Sequence, residues 1–142
     1  MKRTLLLCAL VLSLAGCSDP YGACVKAGAD IATGISGGAQ TVVQLEASGL
    51  ITQSEELNVL GYMKFANDAD GAFLTCVSSA STAGSKAGTF TACAQAFNTS
   101  LANPTELALI HVTNPNAQTQ ITTISQTIAT GVATLITALG GK

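Results

Sequence analysis

Apolar residues along most of the chain recur every three or four positions, and no stretch shows the sustained apolar–polar alternation typical of strands. Between residues 20 and 48 this spacing predicts one long amphipathic helix. Asp19 followed by Pro20 is a favourable helix start, and Gly49 supplies a C-terminal stop. The predicted core positions alternate in steps of four and three: Cys24, Gly28, Ile31, Ile35, Gly38, Val42 and Leu45.

A second helix is predicted to begin after Thr52, because Thr52 and Glu55 have the spacing of a capping box. Glu55 and Glu56 then lie in the first turn, where carboxylates complement the helix dipole. Gly84 and Gly88 bracket the turn that follows. The predicted core positions of this helix are Val59, Tyr62, Ala66, Ala69, Phe73, Cys76 and Ala80.

A third helix is predicted over about residues 89–102 and a fourth over about 116–139, with one or two further turns between 105 and 111. Asn103-Pro104 and Asn114-Pro115 separate these segments. Because short connections between long amphipathic helices favour antiparallel neighbours, we predict an all-α fold: an antiparallel up-down bundle of about four helices, formed by residues 20–142 as one domain. The core positions of the last two helices are Phe90, Cys93, Phe97, Leu101, Ile121, Ile124, Ile128, Val132, Leu135 and Leu139.

Three glycines, Gly34, Gly37 and Gly38, fall within five positions of the first predicted helix. Each costs about 1 kcal/mol of helix stability relative to alanine. They either allow a second helix to approach closely or divide the first helix in two. We favour close packing.

An export signal precedes the predicted bundle. Lys2 and Arg3 form a charged start, and an apolar run over residues 5–14 is too short to span a bilayer as a helix. The next residues, Leu14-Ala15-Gly16-Cys17, resemble the lipobox of bacterial lipoproteins. The resemblance covers residues 1–17 only. It implies that residues 1–16 are a cleaved signal peptide and that Cys17 is acylated on its sulfur and on its new amino group.

Residues 17–19 then form a short tether between the lipid and the bundle. In proteobacterial lipoproteins an Asp directly after the acylated Cys signals retention in the inner membrane, so Ser18 indicates the outer membrane, facing the periplasm. Asp19, one place later, leaves the inner membrane open. The alternative to the whole interpretation is an ordinary secretory signal, in which case Cys17 is a thiol of a soluble secreted protein.

Charge and composition exclude several functions. Charged residues make up 10% of the 142 residues, and the formal net charge is −2. After removal of residues 1–16, four Lys face eight acids, which gives 4 − 8 = −4. The chain therefore lacks the basic face that nucleic acid requires, and we expect the polypeptide itself to be mildly repelled by anionic lipid. The outer faces are rich in Thr, Ser, Gln and Ala, which fits either self-association or an uncharged soluble surface.

Three cysteines remain in the predicted domain: Cys24, Cys76 and Cys93. In an antiparallel hairpin, residues equally far from the turn lie opposite each other. On this basis all three cysteines lie within about one helical turn of the same height along the bundle, near the lipid tether. An oxidising compartment favours pairing. We predict a Cys76–Cys93 disulfide across the shorter turn, with Cys24 as the alternative partner. In the preferred pairing, Cys24 stays free or pairs between molecules.

No motif of established catalytic or metal chemistry stands out. A three-thiolate site lacks the fourth ligand that structural zinc usually takes, and the only histidine, His111, is predicted at the opposite end as a turn or capping residue. A calcium-binding loop aligned on Gly71 would need oxygen ligands at positions whose side chains carry no oxygen atom. Asp68 and Asp70 are therefore interpreted as a solvated helix face. We expect no cofactor, no metal and no enzymatic activity.

Two functions remain. The first is a non-enzymatic structural or interaction module of the cell envelope, anchored to the lipid bilayer through acylated Cys17, with a second copy or another envelope protein as its partner. The second is a helical-bundle protein that binds a small apolar ligand. An enclosed apolar pocket beside Gly38 and Ala66 would favour the second, and close-packed helices there the first.

Overall fold

The computed structural model describes residues 19–140, so the predicted signal peptide and Cys17 lie outside the described residues. All regular structure in this range is helical, which confirms the all-α prediction. The elements are α1 (Pro20–Ala47), α2 (Gln53–Thr82), α3 (Ala87–Leu101), the single turn α4 (Pro104–Leu107), a 3₁₀ turn (Ala108–Ile110) and α5 (Pro115–Ala138).

Side-chain caps define the helix starts. Asp19 accepts hydrogen bonds from the backbone N–H groups of Tyr21 and Gly22, both at 3.0 Å, and so caps α1. Thr52 and Glu55 form the predicted capping box of α2. After α1 the chain turns at Gly49, whose φ of +71° lies in the left-handed region that glycine adopts without strain.

The four long helices form a ring in which α1 and α3 each pack against both α2 and α5. Close contacts give the directions. A Cβ built on Gly28 of α1 would meet Leu74 of α2, and one built on Gly38 would meet Met63. As the residue numbers rise along α1, the numbers of the facing α2 residues fall, so these two helices are antiparallel.

The α1–α5 pair is antiparallel by the same criterion. Gly38 faces Ile124, whereas Ile31 faces Gly131. One end of the bundle, which we call the near end, contains the start of α1, the turn after α2 and the end of α5. The opposite end, the far end, contains the α1–α2 turn and the start of α5.

Helix α3 spans only part of this length. Its 15 residues rise about 22 Å, against about 42 Å for the 28 residues of α1. Beyond Leu101 the chain continues through α4 and the 3₁₀ turn, where Leu109 lies within 3.8 Å of a Cβ built on Gly61. This segment closes the far half of the bundle, where α3 is absent.

The core of α1 is as predicted, because all seven predicted positions are buried. In α2 the predicted stripe is wrong at two positions: Cys76 is exposed and Ala69 is only partly buried, while Asp70 and Val77 take their places in the core. The cause is the helical period. Counting 3.6 residues per turn from Val59 reaches about position 70 after three turns and about 77 after five, whereas a strict heptad lags behind.

The glycine-rich stretch does not interrupt α1, which is continuous from Pro20 to Ala47. Gly38 provides the predicted close packing: a Cβ there would lie 2.7 Å from Ile124 Cγ2. Gly34 and Gly37 do not contribute to it, since nothing lies within 4 Å of a Cβ built on either.

Helix α5 is long and apolar enough by composition to cross a membrane, since its most apolar 18 residues have a mean hydropathy of 1.2. In the bundle its large side chains belong to the core, where Ile121, Val132 and Leu135 are fully enclosed. Its outer face carries threonines, and the hydroxyls of five of them donate to carbonyls four residues earlier: Thr119, Thr123, Thr127, Thr134 and Thr137. These hydroxyls are thus already satisfied within the helix.

Candidate functional site

The structure brings Cys76 and Cys93 to disulfide distance, with their Cα atoms 5.9 Å apart. Helix axes in bundles usually lie about 8–10 Å apart and Cα atoms lie about 2.3 Å from each axis, so this Cα–Cα distance is compatible with ordinary packing of α2 against α3. Small residues surround the pair: Ala94 is fully buried beside Cys93, and Ala80 follows Cys76 by one turn. Cys93 is buried and Cys76 is exposed, so solvent reaches the pair from the α2 side.

Cys24 is the single free cysteine among residues 19–140, and it is fully buried. Gly28 lies against Leu74, so Cys24, one turn nearer the start of α1, lies at about the level of Val77. Burial, with a contribution from the Asp19 charge, raises the pKa of the Cys24 thiol to about 11. Of the two expectations for Cys24, the structure has the first: the thiol is free, and its sulfur is not accessible in the folded bundle.

Asp70 is a buried acid in the core of the bundle. Its residue is 3% exposed, and its Oδ1 has no hydrogen-bond partner. It faces α1 at Gly28, where an added Cβ would lie 3.3 Å from Oδ1. Desolvation raises the pKa of this carboxyl to about 6 from an ordinary 3.8. The interpretation of Asp68 and Asp70 as a solvated face is thus wrong for Asp70, although Asp68 is exposed and pairs with Lys64.

The elements around Asp70 offer no cation to compensate its charge. Helix α3 has no charged residue, and α5 has none either. On α1 the nearest ionisable groups are the Cys24 thiol, the exposed Lys26 and the partly buried Asp30. On α2 itself Lys64 pairs with Asp68 instead. Within residues 19–140, Asp70 Oδ1 therefore has neither a hydrogen-bond donor nor a cation beside it.

A second buried polar group lies at the centre of the bundle. The Tyr62 hydroxyl and the Ser125 hydroxyl are 3.2 Å apart, and both residues are buried. Their hydrogen bond joins α2 to α5 across the core. Ser125 did not stand out in the sequence, because a lone serine within an apolar and threonine-rich helix has no periodic signal.

Glu55 joins the start of α2 to the residues before α5. Its Oε2 accepts hydrogen bonds from the backbone N–H and hydroxyl of Thr52, at 2.7 and 2.9 Å. Its Oε1 accepts from the backbone N–H and hydroxyl of Thr113, at 2.7 and 2.8 Å. These bonds, first those from the backbone of Thr52 and Thr113, lower the pKa of Glu55 to about 2. The carboxylate thus fastens the far end of the bundle.

A surface groove of about 260 Å³ runs between α1 and α5. We call it the glycine–threonine groove; it is lined by Gly34, Gly37, Gly38, Thr41, Thr123, Ile124, Thr127 and Ile128. None of these residues can ionise. The hydroxyls of Thr41, Thr123 and Thr127 donate to carbonyls within their own helices. The groove therefore offers shape and methyl groups but no acid–base or nucleophilic chemistry.

The remaining predicted residues are placed as follows. His111 is exposed and follows the 3₁₀ turn, at the far end as expected. Within residues 19–140, no three His, Cys, Asp or Glu side chains come together as a metal-ligand set. Gly38 and Ala66, where an enclosed pocket would have favoured ligand binding, are both buried, and Gly38 is in contact with Ile124 and Met63.

Comparison with known proteins adds no relative: no protein family, curated protein or solved structure matches this chain.

Proposed function

We propose that this chain is a bacterial lipoprotein: a helical bundle anchored to a membrane of the cell envelope through acylated Cys17 and acting there as a non-enzymatic structural or interaction module. The observation that carries the proposal is the sequence Leu14-Ala15-Gly16-Cys17, which resembles a lipobox and follows a charged and then apolar signal. More than one acyl chain on Cys17 would provide a stable anchor.

The position of the bundle relative to this motif supports the proposal. Helix α1 begins at Pro20 with Asp19 as its cap, so the folded domain starts two residues after Cys17. A domain that begins this close to the acylation site needs no long linker to reach its anchor. Ser18, directly after Cys17, favours the outer membrane over the inner one.

The character of the bundle supports a non-enzymatic role. Its buried acid, Asp70, is enclosed between α1 and α2, and its free thiol is buried too. The glycine–threonine groove carries no ionisable group. Close packing at Gly38 favours a module whose surface, rather than its interior, interacts with a partner.

The proposal is tested by labelling with a fatty acid in a bacterial host. Cys17→Ser should abolish incorporation of labelled palmitate and leave an uncleaved or mis-cut precursor in the membrane fraction. The matched control is Cys8→Ser, which removes a cysteine from the apolar signal segment and should leave labelling intact. Equal labelling of the Cys17→Ser protein would contradict the proposal.

Binding of a small apolar ligand is the second candidate, and the glycine–threonine groove is the observation that favours it. The natural probe is an apolar fluorescent dye such as anilinonaphthalene sulfonate added to the folded protein. Binding that is lost in Gly37→Leu, which fills the groove, but kept in Gly71→Leu would support a ligand site. Gly71 is a suitable control because it is exposed on α2, with nothing within 4 Å of an added Cβ.

A further inference from the structure

Two large apolar side chains are exposed at the start of α1. Tyr21 is 39% exposed and Val25 is 40% exposed. Residues four apart are neighbours on a helix surface, so these two form one small patch on the first turns of α1. Tyrosine has an apolar ring with a polar tip, a combination enriched where one side of a residue is apolar and the other wet.

This patch lies close to the proposed acylation site. Only Ser18 and Asp19 separate Cys17 from Pro20, and the three steps from one Cα to the next span at most about 10 Å even when fully extended. The start of α1 is therefore restrained close to whatever surface holds the acyl chains. Other exposed apolar residues, Val43 and Leu57, lie at the far end.

Charge is distributed unevenly between the two ends. The near half carries Lys26 and Lys86 on its surface, and these balance the surface acids Asp19 and Asp30, while Asp70 is buried. The far half carries four acids: Glu46, Glu55, Glu56 and Glu106. Lys64 is already paired with Asp68. The expected repulsion of the polypeptide by anionic lipid thus applies mainly to the far half, whereas the surface charges of the near half balance within residues 19–140.

We propose that the near end of the bundle docks on the lipid bilayer itself, with Tyr21 and Val25 in contact with the boundary between headgroups and acyl chains. This inference rests on the proposed acylation of Cys17, which holds the patch at that depth. Lys26, one residue after Val25, extends toward the lipid phosphates from an exposed position. The acidic far half then points away from the membrane.

The test uses tryptophan as a position reporter, because the chain contains no tryptophan of its own. The acylated protein carrying Tyr21→Trp is reconstituted into vesicles of phosphatidylethanolamine and phosphatidylglycerol. Its emission is measured with and without brominated acyl chains. The matched control is Val43→Trp, since Val43 is similarly exposed on the same helix but about 33 Å from Tyr21 along its axis.

The proposal predicts that Tyr21→Trp emission shifts to shorter wavelength in vesicles and is quenched by the brominated lipid, while Val43→Trp emission is unchanged. Val25→Trp provides a second reporter with the same expected result. Unshifted emission at both near-end positions, or a shift at Val43 instead, would overturn the docking while leaving acylation standing. A shift that depends on protein concentration and occurs without vesicles would mean that a second copy covers the patch. Absence of fatty-acid label on the chain would overturn both proposals.

Discussion

The Asp70 carboxyl opposes folding at neutral pH, because it is buried without a hydrogen-bond donor or a cation. Such groups are uncommon in proteins, since an ionised carboxylate without a partner is costly to bury. The folded chain therefore holds a proton on Asp70 more strongly than the unfolded chain does. Stability therefore falls as the pH rises from 3.8, the ordinary pKa of the unfolded carboxyl, to about 6, its pKa in the folded chain.

Asp70→Asn should accordingly stabilise the protein at pH 7. One pKa unit corresponds to about 1.4 kcal/mol, and with allowance for solvent screening we expect the free energy of unfolding to rise by about 1–2 kcal/mol. The gain should disappear near pH 4, where the carboxyl of the parent protein is protonated in the folded state. Urea unfolding at both pH values measures it.

Asp68→Asn is the matched control, because Asp68 is exposed two residues away and loses only a surface ion pair. Its effect should stay within about 0.5 kcal/mol at both pH values. A lower unfolding free energy for Asp70→Asn at pH 7 than for the parent protein would show that the carboxylate has a stabilising partner.

At the scale of the helices, Gly34 and Gly38 lie one turn apart in α1 and should respond in opposite ways to substitution by alanine. Gly38 faces the core, where a Cβ would lie 2.7 Å from Ile124 Cγ2, whereas Gly34 meets nothing within 4 Å. Gly38→Ala should therefore destabilise the protein by about 1–3 kcal/mol through overpacking. Gly34→Ala should stabilise it by about 0.5–1 kcal/mol through helix propensity.

Thermal unfolding of the two variants side by side provides the measurement. The comparison is internally matched, since both changes add one methyl group to the same helix. Equal shifts in the midpoint temperature would contradict the close approach of α5 to α1 at Gly38.

The α2–α3 pair leads to a prediction about thiols. Native protein should contain no thiol that reacts with a disulfide reagent, because Cys24 is buried and Cys76 is paired with Cys93. One thiol should appear in denaturant and three after reduction, if Cys17 is acylated. Peptide mapping without reduction should yield the Cys76–Cys93 linkage; a linkage to Cys24 would contradict the placement of Cys76 beside Cys93.

How far the sequence predicted these elements depended on the kind of signal. The helices and caps were accessible, because apolar spacing and residues such as Asp19 and Thr52 act locally. Burial of Asp70 was not, since a charged side chain gives no apolar signal and its core position follows only from the 3.6-residue period. The contact of Glu55 with Thr113 joins residues 58 apart, and only the packing of the bundle brings them together.

For the whole molecule, Asp70 and Glu55 predict a stability maximum on the acidic side of neutrality. Asp70 has a folded pKa of about 6 against 3.8 ordinarily, so unfolding free energy increases as pH falls through this range. Glu55 has a folded pKa of about 2 against 4.5, so unfolding free energy decreases as pH falls below 4.5. The maximum should lie near pH 4 to 5.

Urea unfolding across pH 2.5 to 8 tests this profile. Asp70→Asn should reduce the fall in unfolding free energy on the alkaline side of the maximum, and Glu55→Gln should reduce the fall on its acidic side. Glu56→Gln is the matched control, because Glu56 is next to Glu55 but does not share its bonds to Thr113. This variant should keep the pH dependence on both sides of the maximum. A profile that rises steadily to pH 8 would contradict the burial of an unpartnered carboxyl.

Helix α3 is only about half as long as α1, and this difference has a consequence for proteolysis. Because α3 ends at Leu101, the chain reaches α5 through short turns with few backbone hydrogen bonds, and such segments open most easily. Leu107 and His111 are exposed there. A single cut between Asn103 and Asn114 would leave α1 to α3 as one continuous, cross-linked fragment that still carries Cys17. The excised α5, which contains no cysteine, would then be retained only by its contacts in the core.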